Sequence, residues 1–387
     1  MAEKVKDKLR FSRITLENWK NFAHVDAALE RRVFLVGPNA SGKSNFLDVF
    51  RFLRDLSSPG GGFREAISRR GGVTAIRCLA AKRYPEVTVR ALVEAVEGKP
   101  RWEYELRFNQ DKQSRARVCR ERVVRDGQVL LDRPDKDDAR DAERLTQTHL
   151  EQVNVNREFR DLVGYFESVR YLHIVPQLVR EPDRSVGRSN DPFGGDFLEQ
   201  LAKTQERTRR ARLRRITEAL HVAVPQLMEI DMHRDERGAP HVRGRYDHWR
   251  HQGAWQSEEQ FSDGTLRLMG LLWALMEGTG PVLLEEPELS LHPEIVRFLP
   301  QMFARVQRRT GKQVILSTHS ADLLRDEGIG LDEVLLLRPG REGTTIAAAS
   351  EFGEIRHLLE GGVTLDEAVM PKTRPEGAEQ LSLFEDL

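Results

Sequence analysis

Cysteine is scarce. The 387 residues hold only Cys78 and Cys119, far apart and without C-x-x-C spacing. That excludes a disulfide framework and a structural zinc site, and it fits a reducing compartment. Net charge is missing as well: 61 Lys and Arg stand against 61 Asp and Glu, so composition carries no polyanion-binding signature. Long hydrophobic runs are absent. The longest candidate, residues 266–276, is interrupted by Arg267 and falls short of a membrane span. No charged segment followed by an apolar one opens the chain as a secretory leader would. A soluble, cytoplasmic protein with no membrane partner is the expectation. Length is what the chain has in quantity. It exceeds one typical domain, so two lobes or a domain with a large insertion are expected, with a core that needs no disulfide or metal support. Arginine outnumbers lysine, a bias that genome composition alone can produce, and by itself it decides nothing.

The chain is organised around Gly37-Pro38-Asn39-Ala40-Ser41-Gly42-Lys43-Ser44. Residues 32–36 before it read as a buried strand, and residues 45–53 after it carry apolar side chains at helical spacing. Strand, glycine-bearing loop and helix are the context in which G-x-x-x-x-G-K-[ST] cradles phosphates. Loop and helix N–H groups would face the phosphates. Lys43 would reach the β- and γ-phosphates, and Ser44 would hold Mg²⁺. A bound nucleoside triphosphate is expected.

Elsewhere, alternation predicts strands at 9–17 and 23–29 around a turn at Asn18-Trp19-Lys20-Asn21-Phe22, then an antiparallel set at 86–96, 102–108, 115–124 and 128–131. Residues 132–144 are charge-dense and read as a solvated loop or helix start. Residues 143–169 and 197–220 read as helices, the second the longest helical pattern in the chain. Residues 228–255 read as short strands. From 261 onward a turn and helix, a strand at 281–286, a helix at 294–309, and strands at 313–317 and 333–337 alternate as in a parallel sheet covered by helices. The expected fold is α/β: a mixed-sheet lobe over residues 1–131 bearing the phosphate loop, a mainly helical insertion over 132–225, a second lobe over 226–365, and a flexible tail over 366–387.

Three further motifs carry chemistry. The apolar strand Val282-Leu283-Leu284 ends in Glu285 and Glu286, placed where strand ends face a nucleotide crevice. One carboxylate can support Mg²⁺ while its neighbour polarises water. Ser262-Asp263-Gly264-Thr265 opens a helix and reads either as an anion-binding helix start or as an ordinary N-cap. His319, in Ser317-Thr318-His319-Ser320, follows another buried strand.

In this order the four pieces resemble the ATP-binding-cassette ATPases of the RecF, SMC and OLD type. The loop matches their Walker A, Phe261 to Thr265 their signature, residues 282–286 their Walker B, and residues 317–320 their histidine switch. The resemblance implies two chains sandwiching two ATP molecules, with Lys43 and Ser44 of one facing Ser262 and Gly264 of the other. It also implies that Glu286 positions the lytic water, His319 senses the γ-phosphate, and the backbone and side chains of residues 37–45, Asn45 included, cradle the nucleotide. Gln177, at the end of the segment 171–177, takes the place of the Q-loop glutamine, a metal and nucleotide contact in the family; a surface glutamine is the alternative. Three positions depart from the pattern. Glu285 replaces the usual aspartate, Asp263 replaces a glycine, and no aspartate follows Glu286 in Pro287-Glu288-Leu289-Ser290-Leu291-His292-Pro293. The last form looks like the OLD-type subgroup.

The spacing from Ser44 to Ser262 leaves room for a compact lobe and not for a long coiled coil. The chain after residue 337 leaves no room for the OLD nuclease domain, so any nuclease is expected on a separate chain. Arg207, Arg209, Arg210, Arg212, Arg214 and Arg215 crowd one helix, and Arg243, Arg245, Tyr246, Trp249 and Arg250 a strand region. They read either as a DNA contact or as solvated faces paired with acids. Gln380-Leu381-Ser382-Leu383-Phe384 resembles a sliding-clamp-binding tail, with a dispensable tail as the alternative. The expected function is an ATPase that dimerises around ATP and acts on or near DNA, in genome maintenance or anti-phage defence, beside a separate effector. The alternatives are a non-hydrolysing ATP sensor that recruits an effector and a transporter ATPase subunit.

Overall fold

The computed structural model describes residues 9–80, 85–95, 98, 100–181, 191, 193–247 and 254–374. Of the sequence expectations, Trp249, Arg250, the tail Gln380 to Phe384 and most of the segment 180–195 lie outside these residues.

β1 (Leu9–Trp19) and β2 (Phe22–Ala28) pair antiparallel, closed by a turn that takes Asn18 and Lys20 to φ 57 and 49. β3 (Arg32–Val36) is buried throughout and runs into the phosphate loop and the helix Lys43–Ser57. β4 (Val87–Ala95), β5 (Arg101–Gln110), β6 (Ala116–Arg125) and β7 (Gln128–Arg133) extend the antiparallel sheet in the order β2-β1-β4-β5-β6-β7. The period-2 pattern works as expected: Val87, Val89, Ala91 and Val93 of β4 and Trp102, Tyr104, Leu106 and Phe108 of β5 are fully buried. Phe11 of β1 meets Phe50 of the phosphate-loop helix at 4.9 Å and Phe166 of the helix Arg160–Glu167 at 5.8 Å. Truncating such an aromatic costs about 3–5 kcal/mol, so the helix behind the loop is anchored by packing.

The charge-dense stretch 132–144 holds the helix start that was one of its two readings, Lys136–Arg140 capped by Asp135, but it is not wholly solvated. Arg133 and Asp138 have no exposed side-chain surface and pair at 2.6 Å, and Arg133 also reaches Glu121 of β6 at 3.3 Å. The stretch 143–169 is not continuously helical. The Glu121 carboxylate accepts the backbone N–H groups of His149 and Leu150, which takes those donors out of any helix. Only short turns precede the helix Arg160–Glu167.

The next unit starts at β8 (Arg170–Leu172). β9 (Leu227–Arg234), β10 (Pro240–Tyr246) and β11 (Ala254–Ser257) form an antiparallel sheet in the order β11-β10-β9. β12 (Val282–Glu285) runs parallel to β8, with Val282 opposite Arg170. The expected long helix over 197–220 is two helices, Phe197–Lys203 and Glu206–Leu220. Between them the Thr204 hydroxyl donates to the Gln200 carbonyl at 2.9 Å and the backbone turns extended. The helix expected over 294–309 is likewise split, into Pro293–Val296 and Leu299–Thr310, because Pro300 has no N–H to continue the first piece and starts the second.

β13 (Val314–Thr318) and β14 (Val334–Arg338) both lie parallel to β3, and β15 (Thr345–Ala348), which periodicity did not reveal in one exposed and three half-buried residues, pairs antiparallel with β14. By internal contacts the chain forms two units. One gathers the described residues of Met1–Val169, Thr279–Pro281 and Pro300–Leu387; the other gathers those of Arg170–Gly278 and Val282–Leu299. The fold is the expected α/β one, with an antiparallel sheet beside strands in parallel register.

Candidate nucleotide-binding site

In the first unit, β3 delivers the chain to Gly37 and the helix Lys43–Ser57 takes it away. Both glycines are required. A Cβ at Gly37 would lie 2.7 Å from the Leu337 carbonyl, and one at Gly42 would fall on the Asn21 amide at a residue whose φ is 97. The helix has no side-chain cap and no acidic residue in its first turn, so neither a cap nor a first-turn carboxylate offsets the positive end of its dipole. Lys43, buried to 6% exposure, curls back and donates to the carbonyls of Gly37 at 3.0 Å and Pro38 at 3.1 Å. The Ser41 hydroxyl is buried with no hydrogen-bond partner. Asn39, Ala40 and Ser44 are exposed, and Asn45 is half-buried.

A brace that motif reading missed holds this loop. The Asn21 amide donates to the Ser41 carbonyl at 2.9 Å and to Thr344 at 2.8 Å, and accepts from Asn45 Nδ2 at 2.7 Å. Trp19 Nε1 donates to the Asn45 carbonyl at 2.9 Å. Asp48, inside the helix, meets Lys20 at 2.8 Å and Arg70 at 2.9 Å. Burial pushes the Asp48 carboxyl up, but the Arg70, Lys20 and Arg51 charges outweigh it and hold the group down to about 2. The turn at Trp19-Lys20-Asn21-Phe22 was legible in the sequence, but nothing local marked it as a brace for the loop.

His319 follows β13 and is half-buried, and Ser320 behind it caps the helix Ala321–Leu324. Pro38, Asn39, His319, Ala321, Met370 and Arg374 line one cavity of about 710 Å³. Two of the motifs singled out in the sequence thus share a wall.

In the second unit β12 ends at Glu285, whose carboxylate accepts a hydrogen bond from the Tyr171 hydroxyl. Glu286 takes φ 44, a left-handed conformation that a non-glycine residue adopts at a cost and that is common at functional turns. Ser262 is indeed an N-cap, accepting from the Thr265 N–H at 3.2 Å. Arg180 Nη2 donates to Asp263 at 2.6 Å and to the Phe261 carbonyl at 2.7 Å. Gly264 packs on the loop after Glu286, for a Cβ there would lie 2.5 Å from the Ser290 carbonyl. Gln177 is exposed in the short helix Pro176–Val179. The unit therefore gathers Glu285, Glu286, Ser262, Asp263 and Gly264, and leaves Gln177 facing solvent.

Among the described residues no group of three or more His, Cys, Asp or Glu could cage a metal alone. Ser44 in the first unit and Glu285 in the second each offer a hard oxygen donor of the kind Mg²⁺ takes. The residues fit ATP with Mg²⁺.

Residues 32–326 match the family model described as "AAA domain, putative AbiEii toxin, Type IV TA system". The chain belongs to this family. Its structure resembles SMC heads. The SmcHead bound to the C-winged helix domain of ScpA aligns over 87% of this chain and 97% of its own, at 12% identity and TM-score 0.55. The Pyrococcus furiosus Smc head domain with an extended coiled coil, bound to the C-terminal domain of ScpA, aligns over 91% and 99%, at 12% identity and TM-score 0.51. Comparison with curated proteins gives no match. The fold is that of an SMC-type ATP-binding-cassette ATPase head, and among the described residues there is no long coiled coil. Among the described residues no helix is long and apolar enough to cross a membrane.

Proposed function

We propose that this chain binds and hydrolyses ATP with Mg²⁺, that two copies close around two nucleotides, and that closure is passed to DNA and to a separate effector protein. The observation that carries the reading is the phosphate loop: an uncapped 15-residue helix, a buried Lys43 folded over the loop carbonyls, and His319 on the wall it shares with Asn39. Lys43 leaves those carbonyls for the β- and γ-phosphates. Backbone N–H groups from Gly37 to Asn45 receive the phosphate oxygens. Ser44 and Glu285 would hold the metal, which would supply charge neutralisation at the phosphates. Glu286 orients the attacking water, and His319 reads the γ-phosphate. Ser262 and Gly264 meet the nucleotide of the partner copy, and Gln177, exposed on its short helix, is the candidate for the Q-loop role.

The helix Glu206–Leu220 supports the DNA half of the reading. Arg207, Arg210, Arg214 and Arg215 are exposed on it, whereas the arginines of β10 are already matched by acids of β9, Arg243 with Asp231 at 3.0 Å and Arg245 with Glu229 at 3.1 Å. An effector partner accords with the SMC heads, which were solved with ScpA domains bound to them. Genome maintenance or anti-phage defence is the proposed setting, in a cytoplasmic protein. The decisive experiment compares wild type, Lys43→Ala and Glu286→Gln for binding of a fluorescent ATP analogue and for phosphate release. Lys43→Ala should lose binding, and Glu286→Gln should bind without turnover. Binding without turnover by the wild type would favour the sensor reading instead, and wild-type turnover by Glu286→Gln would overturn the assignment of that residue.

A further inference from the structure

Asp263 occupies a position where the cassette signature commonly has glycine, and the structure pairs it with Arg180 and puts Arg267 four residues on along the same helix. Arg180, three residues past Gln177, uses one guanidinium nitrogen to hold Asp263 and the Phe261 carbonyl, the residues on either side of Ser262. Arg267 lies one helical turn beyond Asp263. Its Nε is buried without a hydrogen-bond partner, and its charge interacts with both Asp263 and Glu286. Burial pulls the Arg267 pKa down while those two carboxylates pull it up. The backbone makes the same connection: Gly264 rests on the Ser290 carbonyl, in the loop that Glu286 opens in a left-handed conformation.

We propose that Arg180, Asp263 and Arg267 are positioning residues, a chain of charges that links the Gln177 segment through the signature turn to Glu286 and so couples the two nucleotides of the dimer. The inference rests on the two-site reading above. A γ-phosphate arriving at Ser262 and Gly264 brings negative charge beside the Asp263 carboxylate. The two repel unless a guanidinium comes between them. Arg180 and Arg267 are the groups placed to do so, and a shift of either changes the charges around Asp263. A shift of Arg267 also changes the field at Glu286, which serves the other nucleotide. Occupancy of one site thereby sets the readiness of the second.

The test uses the full chain with Arg180→Gln, Asp263→Asn, the double variant and Arg267→Met. Each single change should lower kcat about tenfold, the effect of one charge-assisted hydrogen bond for Arg180 and Asp263 and of one displaced charge for Arg267. Binding of a fluorescent ATP analogue to the monomer should stay within about twofold, because the Lys43 cradle is untouched. The Hill coefficient for ATP should fall towards one, and the double variant should be no worse than the poorer single. Arg180→Lys, which keeps the charge, should recover part of kcat. Wild-type kcat and Hill coefficient in the single variants, additive losses in the double, or a loss of rate that merely tracks the melted fraction would overturn the proposal. Failure of the wild type to dimerise with ATP would bring down the two-site reading and this inference together. An ATP-dependent wild-type dimer whose variants keep cooperativity would sink the inference alone.

Discussion

Asn21 binds three partners at once, the Ser41 carbonyl, the Thr344 hydroxyl and the Asn45 amide, and so sets where the phosphate loop begins its turn. Removing it leaves the Ser41 carbonyl and the Asn45 side chain without that partner while every residue of the phosphate motif stays in place. Asn21→Ala should therefore weaken ATP binding about tenfold and lower stability by about 1–2 kcal/mol, whereas Lys43→Ala should abolish binding with little effect on stability. Paired binding isotherms and urea melts check both; equal affinity of Asn21→Ala and wild type would show that the loop holds its shape unaided. The contrast marks what a sequence exposes at this scale. Lys43 and Ser44 were legible because phosphate chemistry demands those types at that spacing. Asn21 was not, because its partner Thr344 lies 323 residues away and nothing local distinguishes a bracing asparagine from a turn-forming one. Arg180 was hidden for the same reason, its Asp263 lying 83 residues on.

Elements follow the same division. Strands with one buried face announced themselves by alternation, and β3 and β12 by unbroken apolar runs. Helix continuity did not, because the breaks come from hydrogen bonds such as Thr204 to Gln200 and from the missing N–H of Pro300. The helix Glu206–Leu220 shows what a structure adds to a count of arginines. Leu213, Ile216 and Leu220 face inwards, Arg212 lies over the Trp273 ring at 5.0 Å, and Arg209 reaches the Thr204 carbonyl at 3.1 Å. Those two arginines serve the fold. Arg207, Arg210 and Arg214, at i, i+3 and i+7, share the exposed stripe, and of the three only Arg210 has an ion pair among the described residues, with Glu206 at 2.5 Å. If the stripe tracks phosphates, the triple change of Arg207, Arg210 and Arg214 to Glu should weaken binding of ATP-loaded protein to duplex DNA. The log–log salt slope should drop by roughly one for each phosphate that an arginine no longer neutralises. Thermal stability should move by no more than about 1 kcal/mol, since exposed pairs contribute little. An unchanged slope would retire the helix as a DNA-binding face.

At the scale of the whole molecule, the residues proposed for the nucleotide chemistry fall in both compact units. Lys43 and His319 belong to one, and Glu285, Glu286 and Ser262 belong to the other. That division follows from chain order only in part, because residues 300–374 return to the first unit. The dimer reading assigns Ser262 to the partner's nucleotide, and complementation tests it. In a Lys43→Ala homodimer, and equally in a Ser262→Arg homodimer, both composite sites are broken. A heterodimer of the two variants has one site broken twice and one intact. With random pairing half the dimers are mixed, so an equal mixture should recover about a quarter of the wild-type rate if the sites act independently. A shortfall below that ceiling measures how far one occupied site depends on the other, which is the coupling assigned to Asp263 and its arginines. Light scattering of Glu286→Gln should show a dimer with ATP and Mg²⁺ and a monomer without. No recovery in the mixture, together with a Glu286→Gln protein that stays monomeric at micromolar concentration, would mean that each chain completes its own site and that Ser262 is an N-cap and nothing more.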